Sequence, residues 1–221
     1  MRFSKEVIVR GMKEAGIVPL FTHDDPIDAQ AVLEAAYAGG VRIFEFTNRR
    51  KNSFDVFQHL LKVAKGYPDL MLGIGTIMDA GTTRLFIEAG ADFVISPVMK
   101  LEMAAECDKY QCLWIPGCAT LTEIVTARDH GAEIIKLFPA SVLGPGFVSA
   151  VMPVVPGLQL MITGGVEPTE VSLSKWFGAG ATCVGMGSQL FTRDILARKD
   201  WTQLQQTLEA ALRISKDVRK K

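Results

Sequence analysis

Two charged residues stand inside apolar runs. Glu45 sits in "RIFEFTNRR" and Lys136 sits in "AEIIKLFPAS". Lysine and glutamate are rarely fully buried, and a lone buried charge is costly. A lysine kept out of water holds its proton less tightly, because desolvation disfavours the ammonium form. The neutral amine then attacks a carbonyl carbon and forms a Schiff base. The protonated imine acts as an electron sink. A carboxylate within reach relays protons through carbinolamine formation, bond cleavage and enamine protonation. The bland alternative is a structural buried ion pair, which often barely offsets the desolvation of its partners.

Further residues suit a charged substrate. "ITGG" contains Thr163, Gly164 and Gly165, and "GMGS" ends in Gly187 and Ser188. Without Cβ atoms, such turns let backbone N–H groups approach an anion closely. A short helix starting near Ser188 is expected to aim its positive end at the same spot. Arg49 and Arg50 follow "FEFTN", and Thr76 follows the glycines of "GIGT". An arginine grips a carboxylate bidentately and a threonine adds a hydroxyl, while a solvated loop is the plainer reading for one of the two arginines. His23, in "FTHDD", would border the same region. It does not cluster with His59 or His130 as a metal site, and His130 suits a helix end.

These side chains need elements to carry them. "EAAYAGGVRIFEF", "FIEAGADFVIS", "ARDHGAEIIKLF" and "WFGAGATCVGMG" share one pattern. Each shows a helix end, a glycine, a small residue and a short apolar strand, which is how an αβ connection is spelled. Filling the gaps predicts about eight strands, near 17–21, 42–46, 70–74, 93–96, 113–116, 134–138, 160–163 and 183–186. Residues 28–38, 54–65, 80–88 and 202–214 carry helical apolar spacing. A further helix near 4–14 precedes the first strand and is placed at the barrel bottom. Eight alternating units favour a closed (β/α)₈ TIM barrel over an open sheet, with 1–221 as one domain.

Such a barrel does its chemistry at the C-terminal strand ends. Side chains alternate across a strand. If Phe44 and Phe46 face the helices, Ile43, Glu45 and Thr47 face inward. If Ile135 and Leu137 face the helices, Ile134, Lys136 and Phe138 face inward. The second and sixth strands are both even, so Glu45 and Lys136 can share a layer.

Composition excludes several other classes. The chain has 221 residues, 24 basic and 24 acidic, and is 48% hydrophobic. No basic block marks a nucleic-acid or anionic membrane surface. No apolar run approaches the ~20 residues of a membrane span. Cys107, Cys112, Cys118 and Cys183 form no C-x-x-C pair or zinc spacing and read as reduced, buried thiols. The opening residues lack a signal peptide's apolar core, so a cytoplasmic protein is expected.

At "GGVRIFEFTNR", "GIGT", "ISP", "IPGCAT", "KLFPA", "TGGV" and "VGMGS", in this order, the sequence resembles the class I aldolases acting on 2-keto-3-deoxy-6-phosphogluconate (KDPG) and 2-keto-4-hydroxyglutarate (KHG). The resemblance implies a (β/α)₈ barrel, commonly trimeric and metal-free, with a covalent lysine imine as its only electron sink. It makes Lys136 the Schiff-base residue and Glu45 the general acid/base. Arg49 and Thr76 would bind the pyruvyl carboxylate. Gly164, Gly165, Gly187 and Ser188 would hold phosphate, and Thr163, Phe138 and Pro97 would line the pocket. The implied partner is a phosphorylated keto acid. Many relatives carry an arginine just after the first strand, where this chain reads "FTHDD". Many carry glycine at Val98 and proline before the "TGG", where this chain has Ile162 and Thr163. These departures sit around the mouth and bear on substrate identity more than on imine chemistry.

Overall fold

The computed structural model describes residues 2–220. Its strands are β1 (Ile17–Phe21), β2 (Ile43–Thr47), β3 (Met71–Gly75), β4 (Phe93–Ile95), β5 (Leu113–Ile115), β6 (Gly117–Cys118), β7 (Ile135–Leu137), β8 (Leu160–Thr163) and β9 (Cys183–Met186). Its helices are α1 (Lys5–Ala15), α2 (Pro26–Ala38), α3 (Ser53–Ala64), α4 (Ala80–Ala89), α5 (Leu101–Lys109), α6 (Leu121–Asp129), α7 (Ala140–Val151), α8 (Glu170–Ala179), α9 (Arg193–Arg198) and α10 (Trp201–Val218). The sheet order is β5-β4-β3-β2-β1-β9-β8-β7-β6. Every pairing is parallel.

The two ends of that order are one stave. Only Pro116 separates β5 from β6; β5 pairs with β4, and β6 pairs with β7. The chain itself closes an eight-stave TIM barrel. The sequence predicts a single strand over 113–116. The stave breaks instead because proline has no N–H for a ladder. The next residue also presses on backbone: a Cβ at Gly117 would lie 2.3 Å from the Pro97 carbonyl carbon.

Polar residues in the βα loops are largely used as helix caps. Side chains of Asp25, Asp79, Thr120 and Thr169 accept N–H groups from the first turns of α2, α4, α6 and α8. Each such cap contributes about 1 kcal/mol. At the opposite ends, the glycines of the repeated pattern turn left-handed as expected, with φ of 89° at Gly40, 119° at Gly90, 86° at Gly131 and 112° at Gly180.

Apolar residues divide into two clusters. The outer one, between staves and helices, takes Phe44, Phe46, Ile135 and Leu137. The inner one takes Val18, Ile43, Met71, Phe93, Ile134 and Met161 together with Ile8, Val9 and Met12 of α1. Helix α1 therefore seals the barrel floor, as its position ahead of the first strand predicts. Arg219, just beyond α10, donates to the Lys13 and Glu14 carbonyls at the end of α1. Arg2 pairs with the buried Asp92 at 3.3 Å.

Candidate active site

The strand parity places both charges inward. Glu45 is 1% exposed and Lys136 is 3% exposed. Burial pushes the Lys136 amine below the ordinary lysine range; Glu45 draws it back up, and Arg49 adds a smaller push down. Burial pushes the Glu45 carboxyl above the usual carboxylate range, opposed by Lys136 and Arg49. Among the described residues no ion pair joins Glu45 to Lys136. Glu45 Oε2 is buried without a hydrogen-bond partner. The two groups feel one another without locking together, so the structural ion-pair alternative lacks its bond.

Around Lys136, its Nζ lies 5.1 Å from the centroid of the Phe138 ring, a favourable site for a cation. The Phe138–Pro139 peptide that follows is cis. Thr163 is 6% exposed, and its Oγ1 is buried without a partner. A Cβ at Gly185 would come within 2.7 Å of that oxygen. Pro97 is half-buried and contributes its backbone to the contact with Gly117.

Arg49 leaves the end of β2 and donates from Nε to Thr76 Oγ1 at 3.2 Å. The sequence pairs these two only through a common ligand; the structure joins them directly. Thr76 has φ of 61°. A β-branched residue is a genuine outlier there, and such strain gathers at functional sites. Its neighbours hold it: Asn48 N–H donates to the Gly75 carbonyl at 2.8 Å, and Ile77 N–H to the Ile95 carbonyl at 3.3 Å.

A cavity of about 160 Å³ opens beside Arg49, lined by Thr22, Thr47, Gly187, Ser188, Phe191 and Leu196 among others. Gly187 and Ser188 thus join Arg49. Gly164 and Gly165 are outside that lining, with φ of 99° and 73°. They turn against the start of α7, where a Cβ at Gly165 would meet Ser141 Cβ at 2.8 Å. Helix α7 has no side-chain cap at its N-cap, Pro139. The helix expected at Ser188 is absent. Leu190 and Phe191 N–H both bond back to the Gly187 carbonyl, at 2.9 and 3.0 Å, making one turn before Thr192 caps α9. The backbone facing the glycine turn is therefore the single turn 140–143, which a break at Gly144 (φ 72°, ψ 168°) separates from the rest of α7.

Two candidates fall outside this group. Arg50 pairs with Asp24 at 3.3 Å. His23 Nδ1 accepts the Asp25 N–H at 3.1 Å, and its ring stacks on Phe21. Thr22, Thr47, Phe191 and Leu196 line the mouth without having been singled out from sequence. Only Thr47 carried a readable signal, its parity with Glu45.

A profile of the KDPG and KHG aldolase family matches residues 8–207. The chain is 31% identical over 202 residues to a 2-dehydro-3-deoxy-phosphogluconate aldolase of Pseudomonas aeruginosa, covering 90% of this chain and 89% of that one. It is 29% identical over 195 residues to the KHG/KDPG aldolase of Escherichia coli, covering 85% and 86%. The crystal structure of a KDPG aldolase from Legionella pneumophila matches with a TM-score of 0.81 at 25% identity, over 92% of this chain and 97% of that one. In that crystal, pyruvate was captured at low pH as a covalent carbinolamine intermediate. With its barrel, its inward lysine and glutamate, and this similarity along nearly its whole length, the chain belongs to the KDPG and KHG aldolase family of aldehyde-lyases.

Proposed function

We propose that this aldolase is a single-domain enzyme that reversibly cleaves 2-keto-3-deoxy-6-phosphogluconate to pyruvate and glyceraldehyde 3-phosphate through an imine on Lys136. The observation that carries this reading is the burial of Lys136 and Glu45 on inward-facing strand positions, where they interact electrostatically and Glu45 Oε2 has no hydrogen-bond partner. The neutral Lys136 amine attacks C2 of the keto acid. Glu45 relays the protons that turn the carbinolamine into imine and water. Glu45 then removes the proton of the 4-hydroxyl. The C3–C4 bond breaks, its electron pair moves into the imine, and the aldehyde leaves an enamine behind. Protonation at C3 and hydrolysis release pyruvate and restore the amine. The imine is the electron sink, so the reading uses no metal.

Arg49 and Thr76 bind the pyruvyl carboxylate in this reading, supported by their hydrogen bond. Gly164, Gly165, Gly187 and Ser188 hold the phosphate, supported by the left-handed glycine turns and by the N–H groups of the uncapped turn that opens α7. Thr163, Phe138 and Pro97 line the pocket. Incubation with pyruvate, borohydride reduction and peptide mass spectrometry test it: a stable adduct on the Lys136 peptide is expected. No adduct, with Lys136→Ala still turning over, would sink it. The same machinery accepts 2-keto-3-deoxy-6-phosphogalactonate or 4-hydroxy-2-oxoglutarate, and kcat/KM on all three ranks them. One relative, a 2-dehydro-3-deoxy-6-phosphogalactonate aldolase of Escherichia coli, is 31% identical over 61% of this chain.

The protein works as a homotrimer in the cytoplasm. Exposed Met78, Leu85, Val98, Leu101, Leu121 and Val125 fall on consecutive βα units and suit burial against a second copy. Light scattering is expected to return three chain masses; a monomer would refute the assembly. The four cysteines are free and buried, which suits a reducing compartment. No helix among the described residues is long and apolar enough to cross a membrane.

A further inference from the structure

We infer that Gly75 is a positioning residue: the side chain it lacks is the socket that seats the Glu45 carboxyl. An ideal Cβ at Gly75 would fall 1.7 Å from Glu45 Oε1, 2.5 Å from its Cδ and 2.9 Å from its Cγ. Real Cβ atoms do not approach other atoms so closely, and the atoms met are all in the Glu45 side chain, so a larger residue forces that side chain to shift. Gly75 is the last residue of β3, and its φ is not among the positive values of the described residues. The glycine is needed for space and not for backbone freedom.

The neighbouring glycine explains the direction of Glu45. In register, Glu45 faces Gly73 and Thr47 faces Gly75. The space over Gly73 is already filled, since a Cβ there would lie 2.2 Å from two atoms of the Phe93 ring. Phe93 comes from the next stave, β4. With the lower slot occupied by that ring, the Glu45 side chain leans toward the mouth and takes the upper one. Two glycines, two residues apart, thus hold two different side chains. The lower seats a wall and the upper seats an acid. The carboxyl ends one residue below Thr76, the partner of Arg49.

This inference rests on Glu45 as the proton relay. Gly75→Ala is expected to lower kcat at least about 100-fold with KM within about threefold, the mark of a lost transition-state group. A merely structural role would not give that split. Thermal melting of Gly75→Ala, Glu45→Ala and the double variant provides the second readout. Gly75→Ala is expected to lower Tm when Glu45 is present and to leave it unchanged in the Glu45→Ala background. A wild-type kcat for Gly75→Ala, with kcat lost in Glu45→Gln, overturns the socket. So does an equal Tm loss, or failure to fold, in both backgrounds. Glu45→Gln separates the premise: full kcat in that variant refutes the relay, while the coupling in Tm would still stand as evidence for the seat.

Discussion

The floor and the mouth of this barrel are built on the same staves, two residues apart. Ile43 precedes Glu45, Met71 precedes Gly73 and Gly75, Ile134 precedes Lys136, Met161 precedes Thr163, and Cys183 precedes Gly185. The first residue of each set belongs to the inner apolar cluster that α1 closes. The later ones are charged, hydroxylated or side-chain-free. Alternation sends both layers inward, so one fold supplies a stabilising layer and a reactive layer without changing its backbone. The lower layer concentrates stability, and the upper layer holds buried polar atoms without partners at Glu45 and Thr163. Such atoms cost stability and gain function only if a ligand completes them.

Lys136→Met breaks the upper layer most completely. With its nucleophile gone, kcat is expected to fall at least about 10⁴-fold, measured by coupled pyruvate release. Its Tm at pH 7 is expected to hold or rise. The sign follows from the lowered pKa: the folded chain holds the Lys136 proton less tightly than the unfolded chain, so burial of Lys136 disfavours folding at every pH below the unfolded value of about 10.4, and most fully at and below the native value. Removing Lys136 also removes a charge that draws the Glu45 carboxyl down, so burial holds that carboxyl further above the usual carboxylate range. A large loss of Tm would show that the mouth, too, is a stabilising layer.

Ile134→Ala tests the same stave one layer lower. Ile134 is fully buried. Its truncation is expected to cost about 2–5 kcal/mol in urea unfolding while kcat per folded molecule stays within a few-fold. Comparable damage to kcat would merge the two layers. The smallest effect is a pH limb. Pyruvate-imine formation needs the neutral amine, so its rate rises as pH climbs through the Lys136 pKa. That limb, followed by borohydride trapping, is expected below the ordinary lysine value of about 10.4. A limb at that value would mean that burial does not tune the amine.

Much of this division was legible in the letters. Alternation in "IFEFT" and "IIKLF" gave the inward direction of Glu45 and Lys136, because the outward positions are apolar and want the helix layer. Glycines after helices marked the connections. What escaped depends on distant neighbours. The break at Pro116 answers to Pro97 and to two separate partner strands. The turn at Ser188 forms because Gly187 accepts bonds from Leu190 and Phe191, so no helix starts there, and the glycine turn faces the opening turn of α7 instead. Residue type alone does not separate the two arginines, and only the family resemblance picks Arg49; in the fold Asp24 takes Arg50, leaving Arg49 for Thr76. Lining by Thr22 and Leu196 required the chain to fold back on itself.

Helix α1 makes the interior a cul-de-sac. With the floor filled by these side chains, substrate and products pass through the mouth at the C-terminal strand ends. In the proposed reaction the three-carbon acid stays tethered at the inner end, on Lys136, while the aldehyde lies free and nearer the exit. The aldehyde therefore departs first, and the tethered fragment follows after hydrolysis. The sealed floor turns a chemical sequence into a traffic order: last in place on the lysine, last out of the barrel.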